Sequence, residues 1–282
     1  MKDAPAASGL VAALTALAMA AFAANSLLAR AAFQTTRIDA ASFTAIRLAS
    51  GALTLLLILK LQGGRLVHSR TGWYSACCLF GYAAAFSFAY RDIGAGAGAL
   101  LLFAAAQLLM ISWGLYKGER ASPWGLLLAL GGLATFLAPS ASAPPLHAAA
   151  LMALAGFCWG AYSLLGRASG APVASTAASF LYALPLALVL LLAGTGRLAI
   201  DAAGVLYALL SGCIASALGY ALWYWVRVRM TAIGAGAVQL SVPLLSAAFG
   251  VLLLGEHVGL TSALCALATL AGVGWVTLTV RR

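Results

Sequence analysis

Charge is what this sequence has least of. Only 8 % of its 282 residues are Asp, Glu, Lys or Arg, and just six are acidic. A soluble domain carries charge on about a quarter of its residues, so a water-soluble fold is excluded. With 64 % hydrophobic residues and a mean hydropathy of +1.02, the chain belongs in a membrane. Histidine is scarce too: His68, His147 and His257 sit at loop edges with no nucleophile–base pair beside them, which leaves an enzyme without chemistry. Cysteine is present but unorganised. Cys77, Cys78, Cys158, Cys213 and Cys265 fall inside apolar stretches, odd in number and without metal-ligand spacing, and read as small packing residues. No metal or cofactor is implied. A Walker loop and a G-x-G-x-x-G run are both missing, which removes ATP coupling and dinucleotide binding. The net charge of +10 sits on no soluble basic surface, so nucleic acid is no partner.

What is present is long apolar runs. Crossing a bilayer core of about 30 Å takes about 20 residues of helix. Split at charges and Gly/Pro clusters, the runs fall at 10–33, 40–61, 72–90, 94–116 and 122–140, then 146–166, 173–194, 202–225, 232–254 and 259–279. Continuous Ala/Leu composition, without polar–apolar alternation, excludes a barrel and predicts an all-α membrane fold of ten transmembrane helices. Ala21-Phe22-Ala23 has the form of a signal-peptidase site, but the related run at 146–166 cannot be a cleaved leader, so the first helix is expected to be retained.

The ten runs are two sets of five. NSLLAR from Asn25 to Arg30 returns as YSLLGR from Tyr162 to Arg167, and Gly81-Tyr82-Ala83 returns as Gly219-Tyr220-Ala221. IGAGAGA from Ile93 returns as IGAGAVQ from Ile233, and Gly118-Glu119 as Gly255-Glu256. Same order and nearly constant spacing mark a tandem duplication, 1–142 and 143–282. Lys and Arg sort between alternate loops, eleven on the side of the termini against four on the other. The positive-inside rule then puts both termini in the cytoplasm of a multi-pass protein of the bacterial inner membrane. Five spans per copy insert the second copy upside down, the inverted repeat with which secondary transporters alternate access to a midplane site. A monomer suffices for this; its partners are the lipid bilayer and a small-molecule substrate.

Each half ends alike. A span opens with small residues and closes in Gly-Glu, and a last helix with mid-span or late glycines follows: Ile233 to Glu256 with Pro243 inside, then Gly272 and Gly274; and Ile93 to Glu119, then Gly131-Gly132, with no equivalent of Pro243. This pattern resembles the drug/metabolite transporter superfamily, in particular its EamA-type members, over essentially the whole chain. Length and aromatic content are most similar to YddG-type exporters of aromatic amino acids. The resemblance implies a secondary, non-ATP exporter of amino acids, aromatic ones first, with the third, fourth, eighth and ninth helices lining a central cavity. Other small metabolites or drugs, such as nucleosides or organic cations, are the alternative cargo, with or without proton coupling. No acid lies in mid-span to relay protons, which favours uniport-like movement.

The residues offer a matching pattern. Tyr82, Phe86 and Tyr90 lie four apart on one helix face, and Tyr220, Trp223 and Tyr224 stand in the repeated span. Tyr82 and Tyr220 can face each other across the cavity, with Trp159 and Tyr162 from the sixth helix as further lining; Trp73, Tyr74 and Tyr90, at span ends, suit the interfacial belt. Intramembrane Asn25, Gln107 and Gln239 need polar partners, from another helix or from substrate, and Pro243 frees a backbone carbonyl near Gln239. Arg47, alone inside a span, can snorkel outward, form a structural pair or hold a substrate carboxylate, and the first two are favoured. Gly94 and Gly98, with Gly234 and Gly236 in the repeat, allow close helix packing or bending at the cavity mouth. Arg30 with Glu256, and Arg167 with Glu119, are candidates for salt bridges that close the outer and inner sides in turn.

Overall fold

The computed structural model describes residues 5–67, 69–118, 122–137, 144–166, 171–194, 198–227 and 238–279, and among these every element is helical and no strand occurs. In chain order the helices are α1 (Pro5–Thr35), α2 (Ala40–Leu61), α3 (Arg70–Ala89), α4 (Ala95–Tyr116), α5 (Pro123–Leu137), α6 (Leu146–Leu165) and α7 (Pro172–Ala193). α8 is α-helical over Ala202–Leu210, π-helical over Ser211–Leu218 and α-helical again over Gly219–Arg227. α9 (Ser241–Leu254) and α10 (Leu260–Thr279) follow. Six stretches, 9–35, 40–61, 95–116, 146–165, 173–193 and 202–226, are long and apolar enough to cross a bilayer, and three shorter apolar helices accompany them. α3 is less apolar: it opens on Arg70-Thr71 and carries Ser75 and Ser87. The chain is thus a multi-pass membrane protein. Residues 232–237, the start of the expected ninth span, lie outside the described residues.

The helices start and stop for local reasons. Asp39 caps α2, its Oδ1 accepting from the N–H groups of Ala41 and Ser42 at 2.9 Å each, and Ser69 caps α3 through the N–H of Gly72. Gly255 ends α9 in the left-handed region at φ 64°, where a side chain would be strained, and so turns Glu256 back toward the helix it has just left. Asp39 also reaches the loop before α8: its Oδ2 accepts from the N–H of Ala199 and its own N–H donates to the carbonyl of Ala199, both at 2.9 Å.

Size rather than polarity sorts the side chains. Large apolar residues such as Leu53, Leu57, Leu188 and Leu192 face outward, while alanine and glycine dominate the helix contacts. Lipid is as apolar as leucine, so association comes from close backbone approach across small residues. A Cβ on Gly156 of α6 would fall on the carbonyl of Leu102 in α4, and one on Gly160 on that of Ala106. Gly125, Gly132 and Gly272 do the same for α5 against α10.

The contacts come in matched sets. α2 packs on α7, α4 on α9 and α5 on α10; α3 packs on α6 as α1 does on α8, and α4 on α6 as α1 does on α9. Exchanging the first five helices for the last five maps these pairings onto one another.

Two outcomes follow. Gly156→Leu is expected to cost about 1–3 kcal/mol through overpacking and to lower the midpoint of thermal unfolding in detergent. Gly131→Ala, with open space around it, should leave it unchanged; equal behaviour of the two would refute the close-approach account. Burial pushes the Asp39 carboxyl up, but the hydrogen bonds from Ser42, Ala199 and Ala41 outweigh it and hold it below the usual carboxylate value. Asp39→Ala should therefore cost about 1 kcal/mol at pH 7. A lowered carboxyl loses its contribution as pH falls through its folded value, so the gap between variant and parent should close below about pH 4.

Candidate functional site

The centre of the helix assembly is a closed chamber of about 20 Å³ walled by Phe22, Asn25, Ser26, Tyr82, Phe86, Leu102, Phe103, Trp159 and Tyr220. That is room for a water molecule. Tyr82 from α3 and Tyr220 from α8 lie on either side of Trp159 from α6, with ring centroids 5.2 and 5.3 Å from the indole. Phe22 from α1 meets Trp159 and Tyr220 edge-on at 5.9 and 5.7 Å. All four rings are buried, yet the Trp159 Nε1 and the Tyr220 hydroxyl have no hydrogen-bond partner. Buried polar groups are seldom left so, and unpaired ones mark a place where something else is met.

Arg47 is the charge at this centre. It is 1 % exposed and does not snorkel, because α2 is buried against α7 and α8 at that level. Its guanidinium lies over the rings of Tyr82 and Phe86, 5.0 and 4.8 Å from their centroids. Nη2 donates to the Tyr82 hydroxyl at 2.9 Å and Nε to the Ser216 hydroxyl at 3.2 Å, while Nη1 has no partner. Asn25 Nδ2 donates to the same Tyr82 oxygen at 3.1 Å, and Asn25 Oδ1 accepts from Ser211 at 2.6 Å.

The π-helical stretch of α8 makes this network possible. Its hydrogen bonds run five residues on, so Ser211 and Ser216 share a face; at 3.6 residues per turn they would stand about 140° apart. Gly212, between them, lets α8 approach α2 until a Cβ there would collide with the Arg47 carbonyl and the Ser50 hydroxyl.

A crevice opens at either end of the chamber. One, of about 470 Å³, includes Arg30, Asp92, Gly94, Pro243 and Glu256 in its lining. Arg30 Nε lies 3.4 Å from Glu256 Oε1, and Arg30 Nη1 donates to the carbonyls of Tyr90 and Arg91 at 3.0 and 2.9 Å. Both Glu256 oxygens accept from the Ala95 N–H, the first of α4, at 2.8 and 2.9 Å. The expected Arg30–Glu256 pair is thus formed. The other crevice, also about 470 Å³, is lined by Ser69, Gly72, Tyr162, Ser175, Thr176, Ser179 and Tyr224 among others.

The remaining expectations divide. Trp223 is buried against Phe22 at 6.1 Å rather than lining the chamber, and Tyr162 stands between chamber and crevice, 5.9 Å from Trp159. Tyr90 is no belt residue: it is wholly buried and packs edge-on to Phe86 at 4.6 Å, whereas Trp73 and Tyr74 are exposed. Gln107 Nε2 and Gln239 Oε1 are buried without partners and line neither the chamber nor the two crevices. Pro243 is the third residue of α9, and the carbonyl of Gln239, four residues before it, finds no N–H at that position. A Cβ on Gly98 would strike the Tyr90 ring and Met152, and Gly94 with Gly250 leaves room for the Glu256 carboxylate, so these glycines pack closely. Gly234, Gly236, Arg167 and Glu119 lie outside the described residues. The sequence gives no warning of the π-helical register that recruits Ser211 and Ser216. Among the described residues no His, Cys, Asp or Glu group could hold a metal ion.

Residues 146–278 match the model of the EamA-like transporter family. An uncharacterized protein of Pseudomonas aeruginosa is 53 % identical over 266 residues, 93 % of each chain. One solved crystal structure aligns over 96 % of this chain and 99 % of its own, with a TM-score of 0.66 and 18 % identity, a likeness of fold alone. In this multi-pass helical protein, with its closed central chamber and a crevice at each end, residues 146–278 belong to the EamA-like transporter family.

Proposed function

We propose that this membrane transporter exports amino acids, aromatic ones first, across the bacterial inner membrane by alternating access, without ATP. The observation that carries the reading is the set of Tyr82, Trp159 and Tyr220 around one chamber, on helices from both halves of the chain. A planar ring that replaces their mutual contacts gains the same kind of edge and face packing, about 0.5–1.5 kcal/mol per ring pair beyond burial. The unpaired Trp159 Nε1 and Tyr220 hydroxyl stand ready for the polar part of such a molecule. An organic cation is a poorer fit, since Arg47 is buried behind two of the chamber's rings and none of the chamber residues is acidic.

Alternating access is supported by the matched packing of helices 1–5 and 6–10 and by the sorted loop charges, which put the Arg30–Glu256 crevice outside and the Tyr162–Tyr224 crevice inside. The chamber holds about 20 Å³, far less than an amino acid, so the structure is a closed form from which the rings must part. Glu256, pinned to Arg30 and to the start of α4, fastens the outer side. Glu119 and Arg167 are proposed to do the same on the inner side.

Proteoliposomes loaded with phenylalanine, tyrosine or tryptophan should show counterflow of the labelled compound without a proton gradient. Movement of nucleosides or organic cations in place of all three would overturn the amino-acid reading. Trp159→Ala and Tyr220→Ala are expected to lower that counterflow at least about tenfold, since each takes away an aromatic surface for the cargo ring to stack on. For the gates, Glu256→Gln and Glu119→Gln should change the rate of transport while membrane insertion, measured by yield and monodispersity, stays at the parent level. Unchanged export by both variants would refute the salt-bridge gates.

A further inference from the structure

Arg47 poses a problem that its neighbours do not solve. A guanidinium stays charged at any accessible pH, and burying it without a counter-ion costs several kcal/mol. Of the described acids, Asp39 is engaged by the start of α2 and Ala199, Asp92 by His147 at 3.1 Å, and Glu256 by Arg30 and Ala95. Asp201 starts α8 at the far end from Arg47's contacts. Arg47 instead has two neutral hydroxyls, two ring faces and an empty Nη1. Removing the chain's one mid-span cation would have been simpler than housing it among rings. Its place is explained if its counter-ion arrives with the cargo.

We infer that Arg47 is the anchor for the carboxylate of the transported molecule, and that the site selects ring-bearing carboxylates over ring-bearing amines. This rests on the transport reading of the same chamber but specifies the chemistry that reading leaves open. Tyr82 and Phe86 wall the chamber on one side and carry the guanidinium on the other. When they part, Nη1 and Nη2 form the parallel fork that a carboxylate takes in bidentate fashion, displacing the weaker phenol acceptor from Nη2. Ser216 on Nε keeps the fork's orientation throughout. The ring of the cargo then lies against Trp159 and Tyr220.

The test is calorimetric titration of the purified full-length protein in detergent with three probe pairs. Phenylacetate and indole-3-acetate carry ring and carboxylate; phenethylamine and tryptamine carry ring and amine; phenylalanine and tryptophan carry all three groups. The acids and amino acids are expected to bind and the amines to bind at least about 100-fold more weakly, for want of two charge-assisted hydrogen bonds. Arg47→Gln should remove that advantage, and Arg47→Lys, with charge but no fork, should recover part of it. Each variant is accepted when its unfolding midpoint lies within a few degrees of the parent; the comparison of probes on the parent protein stands without any variant. Acids that bind through Arg47 while the amino acids do not would sink the amino-acid reading and keep the anchor. Amino acids that bind equally to parent and Arg47→Gln would keep the reading and sink the anchor. Amines that bind as well as acids, or no binding of any ring carboxylate, would also overturn it.

Discussion

A cation fixed in a carboxylate-free interior organises the middle of this molecule. A buried guanidinium is costly, so everything within reach of Arg47 has to lower the cost of keeping it there. Two aromatic faces supply their negative quadrupoles, two hydroxyls supply lone pairs, and the hydroxyl of Tyr82 is in turn held by Asn25. Four helices contribute to the cluster: α1, α2, α3 and α8 all bring polar groups to the same few atoms. A hydrogen-bond network of this kind specifies relative helix positions far more sharply than alanine-on-alanine contacts, which tolerate sliding.

The π-helical stretch of α8 is the backbone counterpart of that constraint. A π register wastes hydrogen-bond geometry and is rare, so it persists where the surroundings demand it. Here it brings Ser211 to Asn25 and Ser216 to Arg47 on one face, while Gly212 draws the same turn against α2. The α-helical pieces on either side need only local sequence. The stretch between them depends on partners far away in the chain.

The difference between what was legible in the sequence and what was not follows this division. Apolar length and the absence of alternation are local properties, and they predict an all-helical membrane fold correctly. Tyr82 and Tyr220 could be paired because an internal likeness relates them, and the Arg30–Glu256 contact because both residues sit at span ends with opposite charge. Arg47 was harder. Snorkelling is the sound expectation for an arginine about two turns from a helix end, provided that face of the helix meets lipid. Which face meets lipid is a tertiary fact, and on α2 it is the face of Leu53 and Leu57. Tyr90 failed as a belt residue on the same ground.

If the Arg30–Glu256 pair acts as the proposed gate, its link to the chamber runs through shared helices. α1 carries Phe22 and Asn25 at the chamber and Arg30 near its C-terminal end, within three turns of one helix. α3 carries Tyr82 and Phe86 at the chamber and leads into Tyr90, whose carbonyl Arg30 holds. The rings of Tyr82, Phe86 and Tyr90 form a file with neighbouring centroids 5.4 and 4.6 Å apart. Arg30 ties α1 to Glu256 and to the end of α3, while most of α1 packs on α8 and α9. Asn25 in turn joins Tyr82 of α3 to Ser211 of α8. The polar groups around Arg47 thus come from α1, α3 and α8, and parting any of these helices breaks the set. Under the proposed transport cycle, an opening that parts those helices unsettles the guanidinium, and a ligand that satisfies Arg47 changes the cost of that opening, which is the linkage a carrier requires.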